Sequence, residues 1–402
     1  MTEPTRTQRG FTLVELMISM VLGLFIILAL VTMLINVNRN NSELSGVNRL
    51  IENGRFALQL LTSDVSHTGY WGGHVPEFDN LTGSTTVAPS DVPTAVPDPC
   101  LAFSAVNWTD QYKKNLVGIA AQGTDIPAVV PSPTTPFCSS IVTNPQPSTD
   151  VLVIRHSEPC VVGSSTDDCS DTRANPSPHL YFQPSRCSTD ASPFILNTST
   201  FTVKAGDCAA AAPIRRFASS IYFVRNYANS PGDGIPTLVR ARFGVSNTAV
   251  AGNDPEFLPA QALVEGVEGF RVEYGVDNLS DTGATVDLAA LGAPINWLSA
   301  SVLNTPTNRG NGFPDAYVRC SQATPCTADQ LVNVTVVKLY VLVRAEKTSP
   351  GHTDTKKYCL GHDCVADPTA YMGPFNDGFK RHLFTQTVRL TNVATRRETP
   401  NP

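Results

Sequence analysis

The chain has 402 residues, 42% of them hydrophobic and only 16% charged, with 31 Pro, 27 Gly, 10 Cys and a formal net charge of −6. That length holds two or three average domains or one domain with long insertions, and the apolar content excludes global disorder. The scarcity of charge argues against nucleic acid as a partner. No Lys or Arg occurs from Phe56 to Tyr112 or from Asn115 to Ile154, so a phosphate backbone finds little to hold.

The N-terminus sets the class. Residues 1–10, MTEPTRTQRG, are polar and carry Arg6 and Arg9; Phe11 to Ile35 then form an apolar run of 25 residues whose single ionisable side chain is Glu15. As a helix the run is roughly 37 Å long, enough to cross a ~30 Å hydrocarbon core. A secretory signal has a shorter apolar stretch followed by a small-residue cleavage site, whereas this run ends in Asn36, Asn38, Arg39 and Asn40. The basic residues before it favour a cytoplasmic N-terminus, which places everything after residue 40 across the membrane.

A plain single-pass anchor explains the span but not Glu15. A carboxylate within a membrane segment costs about 2.5–3.5 kcal/mol on insertion scales and is usually paired and functional. A cut between Gly10 and Phe11 creates an α-amino group for which Glu15 is the counter-charge, and an acidic residue in the first turn suits the helix dipole. The run RGFTLVELMISM resembles the type IV prepilin signal. The resemblance implies that prepilin peptidase cleaves after Gly10 and methylates Phe11 as the new N-terminus, and that Glu15 aids packing into a pilus. Cleavage removes Glu3, Arg6 and Arg9, a net +1, and leaves the chain at −7.

Residues 36–67 keep helical character without proline. Leu44, Val47, Ile51, Gly54, Leu58, Leu61 and Val65 recur at steps of three and four, an apolar face for a globular head or, alternatively, a short coiled coil. From Leu81 to Pro99 an aperiodic, proline-rich stretch predicts an extended loop.

The ten cysteines, an even set in a chain rich in Pro, Ser and Thr, read as disulfides of an oxidising compartment. Six of them, Cys100, Cys138, Cys160, Cys169, Cys187 and Cys208, fall in a segment where VLVIRH at 151–156 is the clearest strand. Connectivity does not follow from sequence; local pairing is the expectation, with Cys320–Cys326 and Cys359–Cys364 first because short intervals close at the smallest entropic cost. A metal fragment at Cys359, His362 and Cys364 is the weaker reading, since it needs two more ligands.

Beyond Phe217 the chain turns strand-rich. IYFVRN (221–226) and TLVRARF (237–243) flank turn chemistry from Asn229 to Gly234 and predict a hairpin. Strands are also expected at 264–277, 332–345 and 383–393, giving an α+β, pilin-like fold: a long N-terminal helix packed on an antiparallel sheet, with a disulfide-braced, loop-rich insertion. The segments LVEGVEGFRVEYGVD, VVKLYVLVRAEK and FKRHLFTQTVRLTN resemble the C-terminal half of PilW-type minor pilins. The likeness covers about the first 65 residues and much of 217–393, but not the cysteine-rich middle. Thr32 stands where major pilins often carry a helix-breaking proline, while Gly23 keeps one flexible point.

The organisation read from these features is a leader at 1–10, a transmembrane helix at 11–35, its amphipathic continuation at 36–67, an insertion at 68–216 and a β-rich head at 217–402. No catalytic motif, cofactor or metal site is expected. The seven histidines, His67, His74, His156, His179, His352, His362 and His382, show no metal spacing, and no GxSxG, P-loop or dinucleotide fingerprint occurs. The acidic loop from Asp277 to Asp287 reads as a polar turn in preference to a calcium site, and Arg215–Arg216 and Arg396–Arg397 read as solvated surface pairs.

The resemblance implies a minor pilin that primes type IV pilus assembly, sits at or near the tip, and supports twitching, adhesion or DNA uptake. Its implied partners are other minor pilins and the major pilin through the helix, prepilin peptidase, the inner-membrane assembly machinery and, as a further candidate, a tip adhesin. It implies an inner-membrane protein with a periplasmic head that moves to the cell surface on assembly. A minor pseudopilin of type II secretion shares the same signal, and a membrane-anchored adhesin or binding module is the alternative of another class.

Overall fold

A computed structural model describes residues 10–81, 87–128, 137–163, 179–245, 255–297 and 306–398; the leader before Gly10, with Arg6 and Arg9, and Cys169 lie outside them. Helix α1 spans Leu13–Ser66, and the chain divides into two compact units, Met1–Arg49 and Leu50–Pro402. In the first unit the large apolar side chains from Phe11 to Ile35 are 47–87% exposed, so that surface needs a non-aqueous or helical partner. The segment is long and apolar enough to cross a membrane. Its hydroxyls are satisfied internally: Ser19 Oγ donates to the Leu16 carbonyl at 2.9 Å and Thr32 Oγ1 to the Leu28 carbonyl at 2.7 Å. Such back-bonding lets polar residues sit in an apolar solvent.

In the second unit the last turns of α1 bury Leu50, Gly54, Ala57, Leu61 and Val65, with Ile51 and Leu58 half-buried. The buried stripe is thus rotated slightly from the predicted one, and Leu44 is exposed. Gly54 has a steric reason: a Cβ there would lie 2.0 Å from the Phe384 ring, so the helix approaches the sheet as only glycine allows.

Two antiparallel sheets receive this helix. The larger comprises β1 (Ala121–Asp125), β2 (Asp150–Ser157), β3 (Tyr181–Pro184), β4 (Phe194–Asn197), β5 (Arg215–Arg225), β6 (Thr237–Gly244), β7 (Glu256–Phe257) and β8 (Gln261–Glu265). The predicted hairpin is β5–β6, pairing Tyr222 with Arg240 and Ser220 with Arg242. The segment 68–216 supplies β1–β4, and β2, buried at every position, bonds to β5, so this segment and the β-rich head share one sheet. It also holds α2 (Asp110–Gly118), N-capped by Thr109, which the sequence reading did not anticipate.

The second sheet has the order β10 (Ala316–Val318), β9 (Val267–Val276), β11 (Val334–Arg344), β14 (Arg381–Arg389). The single strand expected at 264–277 is divided at Gly266, whose φ of +81° turns β8 into the first sheet and β9 into the second. All ten residues of β9 are buried, because this strand is covered on both faces; alternation in the sequence therefore does not report exposure here. Asp150 on β2 ties the sheets together, accepting from the Val272 N–H at 2.9 Å and from Arg319 Nη2 at 2.6 Å.

Shorter elements of the unit include helix α3 (Leu288–Leu291), helix α4 (Ala328–Val332) with a Thr327–Gln330 capping box, and the paired strands β12 (Tyr358–Cys359) and β13 (Tyr371–Met372). The strand expected at 383–393 stops at Arg389, and Thr391–Arg397 form helix α5. Cys320–Cys326, Cys359–Cys364, Cys100–Cys138 and Cys187–Cys208 are disulfides, and Cys160 is disulfide-bonded as well.

Candidate functional site

The N-terminal candidate builds from five residues, Phe11 to Glu15. Phe11 is 87% exposed, and no atom outside its own chain neighbours lies within 4 Å of where a Cβ on Gly10 would stand. Thr12 immediately precedes α1, and its side chain accepts from the Glu15 N–H at 3.3 Å. Glu15 reaches back, its Oε2 accepting from the Thr12 N–H at 3.2 Å and from the Thr12 hydroxyl at 3.1 Å. This reciprocal pair is a capping box, which satisfies free N–H groups of the first turn and places negative charge at the positive end of the helix. Thr12 was missed, although the T-x-x-E spacing before an apolar run is a legible signal. The carboxylate is held at the first turn and stays exposed.

A second cluster lies where the end of α1 meets the larger sheet. Asp64 accepts a hydrogen bond from the Tyr222 hydroxyl, with His156 Nε2 at 3.6 Å and Arg240 Nη1 at 3.9 Å. The His67 ring, itself anchored on the Ser63 carbonyl, stands 5.9 Å from the His156 ring. Burial raises the Asp64 pKa, but His156, Tyr222 and Arg240 outweigh it and bring it down to about 2. Burial disfavours a charged His156; Asp64, the Ser157 carbonyl and Glu158 overcome that and raise its pKa above the usual imidazole value.

The sign of the linkage follows. The contribution of His156 is fully present below its unfolded pKa of 6.5 and is lost as pH rises through the raised folded value. Asp64 contributes fully above 3.8, and its share changes only in acid, being lost as pH falls from 3.8 through about 2. His74, which burial and then Arg396 push down to about 3, destabilises only below 6.5 and leaves the higher window clean. Denaturant midpoints of the full chain in detergent should therefore fall from pH 6.5 upward, with a slope of at most about 1.4 kcal/mol per pH unit. Above pH 7, clear of Asp91 and Asp277, which burial raises to about 6, that slope should shrink in His156→Gln; an unchanged slope there would mean that another group titrates.

The remaining candidates do not converge. Asp277 is buried and accepts from the Asn311 and Gly312 N–H groups at 3.1 and 2.8 Å, Asp281 accepts from the Asn311 amide at 3.0 Å, and Asp287 caps α3. Asp277 and Asp281 share Asn311 whereas Asp287 turns to α3, and among the described residues the three do not bring their ligand atoms together. Burial, only partly offset by Arg397, pushes Asp277 up to about 6. Among the described residues one group of three His, Cys, Asp or Glu brings its ligand atoms within 4.8 Å, namely Asp98, Cys100 and Cys138; its two sulfurs are bonded to each other, so no thiolate is available. His362 instead joins Glu273, its Nδ1 lying 3.0 Å from Oε1, and pins the Cys359–Cys364 loop to the second sheet.

One of the two arginine pairs corrects the sequence reading. Arg397 is fully buried, with Nε 2.9 Å from Asp79 Oδ1, and the Arg396 side chain is 13% exposed with Nη2 3.4 Å from Asp79 Oδ2. Arg215 donates to the Pro159 carbonyl, and Arg216 Nη2 lies 3.0 Å from His179 Nδ1. Arg396 and Arg397 are therefore not a solvated surface pair, because Asp79 compensates their charge, whereas Arg215 and Arg216 are half-buried.

The family model for Type IV Pilus-assembly protein W matches residues 221–392, and that for the prokaryotic N-terminal methylation motif matches residues 5–31. No curated protein matches the chain. Among solved structures, a type IV-like pilin from Thermus thermophilus is similar over 62% of this chain and 82% of its own length, at 13% identity and a TM-score of 0.24, too low to place individual residues.

Proposed function

We propose that this chain, whose residues 221–392 match the family model for Type IV Pilus-assembly protein W, is a minor pilin of the PilW family that primes pilus assembly and sits at or near the tip. The observation that carries the reading is the exposed apolar helix opening directly behind Gly10 with Glu15 held at its first turn. Cleavage after Gly10 by prepilin peptidase frees the Phe11 amine. The helix anchors the subunit in the inner membrane, with the head in the periplasm, until assembly carries it to the surface. Apolar packing then supplies adhesion to other minor pilins and the major pilin. Glu15 selects register, since a carboxylate left without a cation inside a helix bundle is costly. Twitching, adhesion or DNA uptake follow from the assembled pilus, and the inner-membrane assembly machinery and a tip adhesin are its further partners.

Glu15→Ala should leave membrane insertion intact and reduce surface pili about tenfold or more, as expected for loss of one buried ion pair per contact. Piliation counted by electron microscopy, with the variant's membrane level checked by immunoblot, tests this; normal piliation removes Glu15 from the mechanism. Mass spectrometry of the mature N-terminus, with and without the peptidase, tests the processing step. A deletion strain that keeps its pili but loses exoprotein secretion would assign the chain to type II secretion instead.

A further inference from the structure

The second sheet ends in an open edge. β14 pairs with β11 alone, through nine consecutive residue pairs from Val336–Arg389 to Arg344–Arg381 without a bulge. The same register continues past both ends: the Leu390 N–H donates to the Thr335 carbonyl at 2.8 Å, and the Ala345 N–H to the Lys380 carbonyl at 2.8 Å. Hydrogen-bonded pairs alternate along an antiparallel ladder, so Phe384, Gln386 and Val388 bond to β11 while Leu383, Thr385 and Thr387 turn their N–H and C=O groups outward. Among the described residues no acceptor meets the N–H of these three, and the Thr387 carbonyl accepts from the Gln386 side-chain amide at 3.2 Å. Thr385, Gln386 and Thr387 are exposed, and Leu383 and Phe384 are half-buried. Edge strands in soluble proteins avoid pairing by being short, bulged, charged or proline-bearing. The other edges here are short, since β1, β4, β7, β8 and β10 run two to five residues. β14 has nine, and its stretch HLFTQTV from His382 to Val388 holds no Lys, Arg, Asp, Glu, Pro or Gly.

We propose that this edge takes an added β-strand from a different polypeptide, an extended and uncharged segment of about five residues or more. A row of outward backbone donors and acceptors at every second residue is matched by another extended backbone; a helix has already spent its own groups internally. Charge sets the class of segment. Arg381 and Arg389, which bound the open stretch, are held by Glu268, Asp354 and Asp377 and by Glu398 respectively, so a charged strand gains no ion pair to offset its desolvation. β-Branched residues suit it, because Thr385 and Thr387 offer cross-strand contacts on one face and Phe384 an apolar one on the other. A second copy fits less well: antiparallel self-pairing centred on Thr385, the register that uses all three outward residues, sets Arg381 opposite Arg389 at both ends, and like charges in that position repel. The edge is independent of Glu15, so the inference stands whether or not the subunit primes a pilus.

Titration of the full chain in a nonionic detergent with the end-capped hexapeptide Thr-Val-Thr-Val-Thr-Val, followed by amide-resolved hydrogen exchange, tests this. The expected result is saturable slowing of exchange at Leu383, Thr385 and Thr387 by about tenfold or more, with Phe384 and Gln386, already bonded to β11, unchanged. The same peptide N-methylated at two consecutive central residues, which blocks both of its edges, should give no slowing. Thr385→Pro removes an N–H that faces outward and no bond to β11, so it should weaken peptide binding about tenfold while thermal unfolding stays cooperative, and Thr385→Val should keep binding. Should the proline variant unfold, the N-methylated peptide against the unaltered chain still decides. Unslowed exchange at the three outward amides, equal slowing of inward and outward amides, or equal action of the N-methylated peptide would overturn the proposal. A dimer seen by light scattering and abolished by Thr385→Pro, without peptide binding, would give the edge to a second copy and overturn it as well.

Discussion

Arg397→Ala is expected to destabilise the head by about 3–5 kcal/mol, the cost of removing one partner from a buried ion pair. The guanidinium is fully buried and donates to Asp79 Oδ1 at 2.9 Å, Asn333 Oδ1 at 2.6 Å and the Val332 carbonyl at 2.9 Å. It thereby fastens α5 to the short helical turn at Glu77–Asp79 and to the start of β11. Truncation leaves three acceptors without donors, and Arg396, 3.4 Å from the other Asp79 oxygen, compensates only part of the charge. Denaturant unfolding of the full chain measures the loss. Asp79→Ala combined with Arg397→Ala should cost less than the sum of the single changes, because the lone buried carboxylate disappears with its partner. Strict additivity would show that the two do not act as a pair.

The second large effect is expected for Arg381→Ala, again about 3–5 kcal/mol. Its side chain is fully buried and gathers Glu268 on β9 at 2.5 Å, Asp354 at 3.0 Å and Asp377 at 2.6 Å, with the Phe375 ring 3.7 Å away. Burial alone disfavours the charge, but the bonds to Asp377 and Glu268 prevail and raise the arginine pKa. In return, the arginine holds Asp377 below the usual carboxylate range, so this stabilisation exists above 3.8 and is lost as pH falls through the lowered folded value. Without Arg381, three carboxylates crowd one another, and Arg344, 3.3 Å from Glu268, neutralises only one. The gap between wild type and variant should therefore be widest at neutral pH and narrow in acid, as protonation relieves the repulsion. A gap independent of pH would assign the effect to packing on Phe375 alone.

Both residues illustrate where sequence reading stops. The α+β class is legible, because the apolar run after Gly10, the 3–4 spacing before Val65 and the β-branched stretch at 334–344 are local patterns, each imposed by the period of one element. The cap formed by Thr12 and Glu15 is equally local, spanning one turn. Cys320–Cys326 and Cys359–Cys364 enclose separations of only 6 and 5 residues. The division of 264–277 at Gly266 was not legible, since one alternating strand and two strands of different sheets share the same letters.

Position in the fold alone distinguishes a buried arginine from a solvated one. Arg397 meets an aspartate 318 residues away and Arg381 a glutamate 113 residues away. Contiguous residues, by periodicity and capping chemistry, determine the helix and its start. Which charges leave water depends on strand order and register, because desolvation and ion pairing act through space between residues that the chain keeps far apart.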